Sequence, residues 1–184
     1  MCSSKQPDRC PFVVTGSSDL TVKLWPLPSE FDGDGAPAAL AASFTRQAHD
    51  KDINCVAVAP NNKVFASASQ DKTVKLWSVE SGTLMGTFKG HRRGVWWAAF
   101  SPVDQVLATC SGDSTVKVWT IRDFTCVGTF EGHQSSVLRV RFLSRGTQLV
   151  SAGTDGLLKL WNIKASENVA TIDAHDAKVS NMNA

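Results

Sequence analysis

Short runs of alternating apolar and polar residues recur along the chain, and each run ends at a cluster of turn-forming residues. The stretches 95–100, 106–109, 115–119 and 125–130 are rich in Val, Thr, Phe and Trp and are separated by Ser, Pro, Gly and Asp. Runs of this length and composition predict short antiparallel β-strands. No window shows the sustained 3.6-residue apolar period of a helix. We therefore expect an all-β protein.

Three residue types recur in one phase and define an internal repeat. The four histidines are spaced 42, 42 and 42 residues apart. An aspartate follows each of the first three histidines by 22 residues, and a tryptophan follows each aspartate by six. Asp19 and Trp25 form an earlier pair with the same separation. A repeat of about 40–45 residues with four short strands is typical of one blade of a β-propeller.

The repeat resembles the WD-repeat family in several motifs. The matching pieces are Gly90-His91, Gly132-His133 and the runs TVKLW (21–25 and 73–77), TVKVW (115–119) and LLKLW (157–161). The aspartate that commonly follows the tryptophan in this family is replaced by Pro26, Ser78, Thr120 and Asn162. The resemblance implies a WD-repeat β-propeller. The phase of the repeat predicts an incomplete ring of about four four-stranded blades plus one strand of a fifth.

The repeat also predicts where each blade begins and ends. We expect blade one at 1–46 with an inserted loop at 26–42, blade two at 50–89, blade three at 92–131, blade four at 134–173 and the start of a fifth at 174–184. Such an arc exposes strand edges at both ends. We therefore expect it to be part of a larger ring and to be marginally stable or prone to aggregation by itself.

The family resemblance also implies a buried polar network in each blade. A histidine ring would bridge an aspartate in a turn and a strand hydroxyl, and that hydroxyl would accept the tryptophan N–H. The hydroxyl four residues before each aspartate is the more uniform candidate, but the sequence leaves open which one takes part. The expected network residues are His49, Ser67, Asp71, Trp77, His91, Thr109, Asp113, Trp119, His133, Ser151, Asp155 and Trp161.

Composition and cysteine usage limit the possible partners and compartment. The chain has 184 residues and a net charge of +2, which gives no bulk signal for nucleic-acid or membrane binding. No uncharged apolar stretch approaches 18 residues, so no membrane partner is expected. The five cysteines are scattered and lack a C-x-x-C pair. This pattern favours a reducing intracellular compartment over a disulfide framework or zinc site.

The same periodicity argues against catalysis. A catalytic histidine is needed once, whereas histidine, aspartate and a hydroxyl recur together in every complete repeat. No two histidines have the spacing of metal ligands. We therefore expect no enzymatic activity, no cofactor, no metal and no small-molecule substrate.

Six residues differ from their counterparts in the other repeats and are candidates for contact with a protein or RNA partner. They are Arg92, Arg93, Trp97, Arg139, Arg141 and Arg145. Four of them have a structural alternative: Trp97 beside Ala98 fits an exchange of core volume, and Arg139, Arg141 and Arg145, on or just after the inner strand, fit ion pairs between blades. The alternative for recognition is an aromatic anchor and a phosphate-facing patch.

Within the WD-repeat family, the stretches 49–63, 90–109, 122–133 and 140–161 are similar to WD-repeat proteins of the small-subunit processome. That resemblance implies a nucleolar scaffold that acts with the U3 small nucleolar ribonucleoprotein in the processing of pre-18S ribosomal RNA. Its partners would be other proteins of this complex, with direct or indirect contact to U3 or ribosomal RNA. The alternative is a generic WD-repeat adaptor, either G-protein beta-like or a substrate adaptor of a ubiquitin ligase.

Overall fold

A computed structural model describes residues 12–27, 41–143 and 146–179, and these residues form four antiparallel sheets. The first sheet contains β1 (Phe12–Gly16), β2 (Thr21–Pro26) and β3 (Phe44–Gln47). The second contains β4 (Ile53–Val58), β5 (Val64–Ser69), β6 (Thr73–Ser78) and β7 (Leu84–Lys89). The third contains β8 (Val95–Phe100), β9 (Val106–Ser111), β10 (Thr115–Thr120) and β11 (Cys126–Glu131). The fourth contains β12 (Val137–Leu143), β13 (Gln148–Gly153), β14 (Leu157–Asn162) and β15 (Glu167–Asp173).

Consecutive strands pair in sequence order within every sheet, and this part of the chain contains no α-helix. The all-β, incomplete propeller predicted from the repeat is thereby confirmed. Most of the predicted inserted loop, 28–40, and the end of the chain from 180 onward lie outside the described residues. Pro26, predicted as the first loop residue, is instead the last residue of β2, paired with Phe12.

The first strands of neighbouring sheets contact one another: β1 contacts β4, β4 contacts β8, and β8 contacts β12. β4, β8 and β12 therefore form the inner edge of the arc, and β3, β7, β11 and β15 form its outer rim. β1 corresponds to the second strand of the other sheets, since its Thr15 accepts the Trp25 N–H as Ser67 on β5 accepts that of Trp77. The register shifts at one point in β4, β8 and β12, between Ile53 and Cys55, Val95 and Trp97, and Val137 and Arg139. A bulge of this kind bends a strand and changes the direction of its side chains.

The core lies between the sheets, where an aromatic ring of one outer strand packs on the tryptophan of the next sheet. Phe88 lies 5.8 Å from Trp119 and Phe130 lies 5.6 Å from Trp161, measured between ring centroids. Phe88 and Phe130 are 1% and 2% exposed. Ile172, at the same position in the fourth sheet, is 55% exposed. The face that buries a phenylalanine between two sheets is therefore uncovered in β15 within the described residues.

Candidate functional site

A chain of hydrogen bonds crosses the second sheet from a turn to a tryptophan. His49 lies in the loop before β4, and its Nδ1 is 2.7 Å from Asp71 Oδ2. Its Nε2 is 2.7 Å from Ser67 Oγ on β5. Trp77 on β6 donates its indole N–H to the same Ser67 oxygen at 2.9 Å. The other oxygen of Asp71 accepts the backbone N–H of Thr73 at 2.9 Å and so holds the turn that places the carboxylate.

The same arrangement is present in the third and fourth sheets. The ring Nδ1 is 2.9 Å from the aspartate, and Nε2 is 2.8 Å from the hydroxyl, in both His91 and His133. The tryptophan N–H donates to that hydroxyl at 2.8 Å in each. The residues brought together are His91, Thr109, Asp113 and Trp119 in one sheet, and His133, Ser151, Asp155 and Trp161 in the other.

The distances also identify the hydroxyl that the sequence left open. It is the one four residues before the aspartate, as in Ser67 and Thr109. The hydroxyls two residues before the aspartate have another role: Ser69 donates to Lys51 O at 2.9 Å, and Ser111 donates to Gly94 O at 2.9 Å. These bonds tie each second strand to the loop that precedes the inner strand.

The buried imidazoles of His49 and His133 are neutral, and each joins a carboxylate to a hydroxyl. Burial lowers the pKa of His49 and His133, against the opposing effect of the aspartates beside them. Burial raises the pKa of Asp71, but hydrogen bonds from Thr73 and His49 outweigh it, so the pKa lies below its usual value. The ionised carboxylate therefore accepts the Nδ1 proton of His49, and Nε2 accepts the Ser67 hydroxyl proton. In each network every polar atom then has a partner.

This geometry resembles a serine–histidine–aspartate triad in composition but not in accessibility. Ser67, Thr109 and Ser151 are 0% exposed, and each hydroxyl is already occupied by a tryptophan N–H. A nucleophile must reach its substrate, so these hydroxyls are placed to brace the sheets. Among the described residues no group of three or more His, Cys, Asp or Glu side chains is arranged to hold a metal ion. The part of the chain seen in the structure also contains no helix long and apolar enough to cross a membrane.

The six candidate contact residues are distributed over different places. Arg92 and Arg93 are exposed in the loop between β7 and β8. Arg92 lines a polar cleft of about 300 Å³ between the third and fourth sheets, together with Lys117 and Glu131. Its backbone N–H donates to Asp113 Oδ2 at 2.8 Å, which fixes the loop to the hydrogen-bond network. Arg145 lies outside the described residues.

Trp97 and Arg139 contact each other across two sheets. The guanidinium carbon of Arg139 lies 4.1 Å from the centroid of the Trp97 ring, and one Nη donates to Leu138 O at 3.0 Å. Trp97 is half-buried and packs against the cores on both sides of the third sheet. Arg139 thus binds an aromatic face, whereas the structural alternative predicted from the sequence was an ion pair. Among the described residues, only the three histidine–aspartate pairs meet the ion-pair distance.

Arg141 lies at the opposite end of the inner strands from Arg92. It lines a second pocket, of about 340 Å³, at the ends of β4, β8 and β12, and the two pockets share no residue. Ala99 is the β8 counterpart of Arg141 and lies seven residues after Arg92. The strand part of this path, from Val95 to Ala99, spans about 13 Å at about 3.3 Å per residue. The structure therefore does not bring these arginines into one patch, and it reveals a pocket with mainly apolar side chains that no sequence motif indicated.

Comparison with known proteins identifies the repeat. The profile of the WD domain, G-beta repeat, matches residues 41–78, 82–120 and 124–162, which is more than half of the chain. The chain belongs to the WD40-repeat family. These matched segments contain the second and third strands of the second, third and fourth sheets, with the Ser/Thr, Asp and Trp residues of their networks.

Several curated WD40 relatives match about half of the chain. Transducin beta-like protein 3 of Bos taurus is 60% identical over 90 residues, which is 46% of this chain and 11% of the relative. U3 small nucleolar RNA-associated protein 13 of Saccharomyces cerevisiae is 44% identical over 85 residues, 46% of this chain and 10% of the relative. Nuclear distribution protein PAC1 of Komagataella phaffii is 33% identical over 84 residues, 45% and 15% respectively. The chain thus matches only about a tenth of the length of the first relatives.

Proposed function

We propose that this WD40 chain is part of a non-catalytic protein scaffold in ribosome biogenesis, acting in the nucleolus with the U3 small nucleolar ribonucleoprotein. The proposed complex is the small-subunit processome, and the process is maturation of pre-18S ribosomal RNA. The observation that supports it is the identity of 57–60% with Transducin beta-like protein 3 of three mammals, together with 44% to a yeast protein named for its association with U3 RNA. The match to PAC1 is much weaker, at 33%.

The geometry supports a scaffold because the recurrent polar side chains are occupied inside the sheets. The histidines, aspartates and hydroxyls bond to one another, and the histidine side chains are 0–1% exposed. Binding must then use what differs between the repeats, namely the loops and the inner strands. Arg92, Arg93 and Arg141 are our candidate partner contacts. Trp97 and Arg139 pack on one another and are better placed to support a surface than to form it, although the buried Nε of Arg139 has no hydrogen-bond partner among the described residues.

Co-purification tests the proposed complex. The tagged full-length protein is recovered from nuclear extract, and U3 RNA is quantified against an unrelated small nuclear RNA of similar abundance. We expect U3 and pre-18S RNA to be enriched together with processome proteins. Recovery of a cullin without U3 would instead support the ubiquitin-ligase adaptor and refute the processome assignment. A tagged variant carrying Trp119→Ala, which disrupts one sheet, provides the control for recovery that does not need the folded domain.

A second measurement tests direct RNA contact by the exposed pair Arg92 and Arg93. Ultraviolet crosslinking of the full-length protein is compared with the double change Arg92→Ala/Arg93→Ala. The matched control removes two charges elsewhere, Lys89→Ala/Lys164→Ala, at exposed positions on β7 and beyond β14. We expect the arginine variant to crosslink several-fold less than the control, since each lost phosphate contact weakens binding. Equal crosslinking in both variants would remove these arginines from the RNA interface.

A further inference from the structure

An open pocket at the ends of the inner strands is lined mainly by residues with apolar side chains, and we call it the inner-strand pocket. The residues that line it come from three neighbouring sheets: Val56, Ala57, Val58, Pro60, Trp97, Ala98, Ala99, Phe100, Pro102, Arg141 and Phe142. Its volume of about 340 Å³ is near the lower end of ligand pockets, which span about 300–1,000 Å³. It is therefore large enough for one or two side chains and too small for a folded surface.

The pocket exists because the third sheet carries small residues where its neighbour carries a large one. Ala99 occupies in β8 the position that Arg141 occupies in β12. Ala98 likewise replaces Val56 and Val140. Ala99 thus leaves a hollow in the middle sheet, whereas Ala98 points to the opposite face of β8 and is 1% exposed. The phenyl rings of Phe100 and Phe142 and the 39%-exposed side chain of Val58 contribute apolar surface around it, and Trp97 contributes a further aromatic wall.

Arg141 is the charged residue of this pocket. No acidic side chain lines the pocket, and no hydrogen bond or ion pair of the Arg141 guanidinium is found among the described residues. A half-buried guanidinium beside apolar walls is less hydrated than one in bulk water, so a carboxylate that reaches it forms a strong charge-assisted contact. The neighbouring Arg139 is already engaged with Trp97, which leaves Arg141 to bind the ligand.

We propose that the inner-strand pocket binds a short extended segment of a partner protein in which a bulky apolar side chain stands next to an aspartate or glutamate. The apolar side chain fills the hollow over Ala99, and the carboxylate pairs with Arg141. This inference rests on the proposed scaffold function and names the chemistry of one of its partners. The pocket is preorganised, because the contact of Arg139 with the Trp97 ring holds that wall before binding.

A peptide fits the pocket better than RNA does. The phenyl and indole rings offer stacking surfaces, but a nucleic-acid groove also needs a row of cations along the phosphates. Here the lining supplies one arginine, and the exposed pair Arg92 and Arg93 lies beyond the other end of the inner strands. The remaining lining is alanine, valine, proline and aromatic residues, which suits an aliphatic or aromatic side chain.

Fluorescence anisotropy with the purified full-length protein tests this proposal. The probe is a fluorescein-labelled peptide with the core Gly-Asp-Leu-Phe-Asp-Gly, and two control peptides carry Asn for Asp or Ser for Leu and Phe. Arg141→Gln removes the cation, Ala99→Leu fills the hollow, and Lys164→Ala removes a distant exposed charge as a matched control. Circular dichroism verifies that every variant has the wild-type fold.

We expect Arg141→Gln and Ala99→Leu each to weaken binding of the acidic peptide at least tenfold and Lys164→Ala to leave it unchanged. The Asn peptide should bind equally weakly to the wild type and to Arg141→Gln, because the lost ion pair is the same one. Unchanged affinity in both folded pocket variants would overturn the proposal. So would displacement of the peptide by an oligouridylate whose own binding needs Arg141.

The two proposals fail in different ways. If the peptide binds through Arg141 while the full-length protein recovers no U3 RNA, the pocket assignment stands and the processome assignment falls. If U3 RNA is recovered and no probe binds, the scaffold function stands and the pocket assignment falls.

Discussion

The hydroxyl at the centre of each buried network supports two other polar groups, and Ser67→Ala tests what that support contributes. The change removes one oxygen and leaves the packing volume of the side chain almost unaltered. It deprives the Trp77 N–H of its acceptor and His49 Nε2 of its donor, which are 2.9 and 2.7 Å away. Both partners are inside the second sheet, where Ser67 is 0% exposed. Water does not reach them without a local opening of the sheet.

The expected cost follows from these two orphaned atoms. A buried polar group without a partner costs about 1–3 kcal/mol, so two of them lower the free energy of unfolding by about 2–6 kcal/mol. That is a large part of the roughly 5–15 kcal/mol that stabilises a typical domain. For a chain of this length the corresponding fall in Tm is on the order of 10 °C. The loss of the aligned dipoles along the network adds to the cost without changing its sign.

Urea unfolding followed by tryptophan fluorescence measures the free energy for Ser67→Ala, Trp77→Phe and the double variant. The two changes act on one hydrogen bond, so the double variant should lose less than the sum of the single losses. Ser81→Ala is the matched control: its hydroxyl contacts only Thr83 Oγ1 on the exposed surface, and its effect should stay within about 0.5 kcal/mol. If Ser67→Ala destabilised the chain no more than Ser81→Ala, the networks would not brace the sheets and the argument would be refuted.

Three further perturbations follow from burial and packing. Lowering the pH from about 7.5 to about 5 should reduce the free energy of unfolding, because folding lowers the pKa of His49 and His133 and the unfolded chain therefore takes up protons more readily. A second loss of stability should begin below about pH 4, where the aspartates of the unfolded chain become protonated. A urea midpoint that stays flat over this pH range would contradict this prediction. Gly86→Ala should destabilise the chain by about 1–3 kcal/mol in thermal melts, since a Cβ there would overlap the Phe124 ring. In a Phe124→Ala background the same substitution should be nearly neutral. Iodoacetamide at about pH 8 should label exposed Cys126 well before Cys55 and Cys110, because burial raises the pKa of Cys55 to about 11 and Cys110 is fully buried. Peptide mass mapping measures the order of labelling. If all three cysteines were labelled together, the sheets would open readily.

The sequence alone determined the fold and the composition of the networks. Each repeat of 42 residues forms a blade with the same packing, so residues equivalent to His49, Asp71 and Trp77 recur at fixed spacings. These spacings predict the sheets from local sequence alone. It did not choose between Ser67 and Ser69. Side chains two positions apart share one face of a strand, and only the distances to the imidazole and to Lys51 O separate their roles.

Tertiary structure alone decided which of the unusual residues meet. Trp97 and Arg139 are 42 residues apart and lie in different sheets, and the approach of β8 to β12 brings a guanidinium onto an indole where the sequence suggested an ion pair or a patch. The same packing separates Arg92 from Arg141 and opens the pocket over Ala99. Local periodicity specifies how a strand pairs within its own sheet. Which side chains face each other between sheets depends on the bulges and the angle of packing, which exist only once the sheets are assembled.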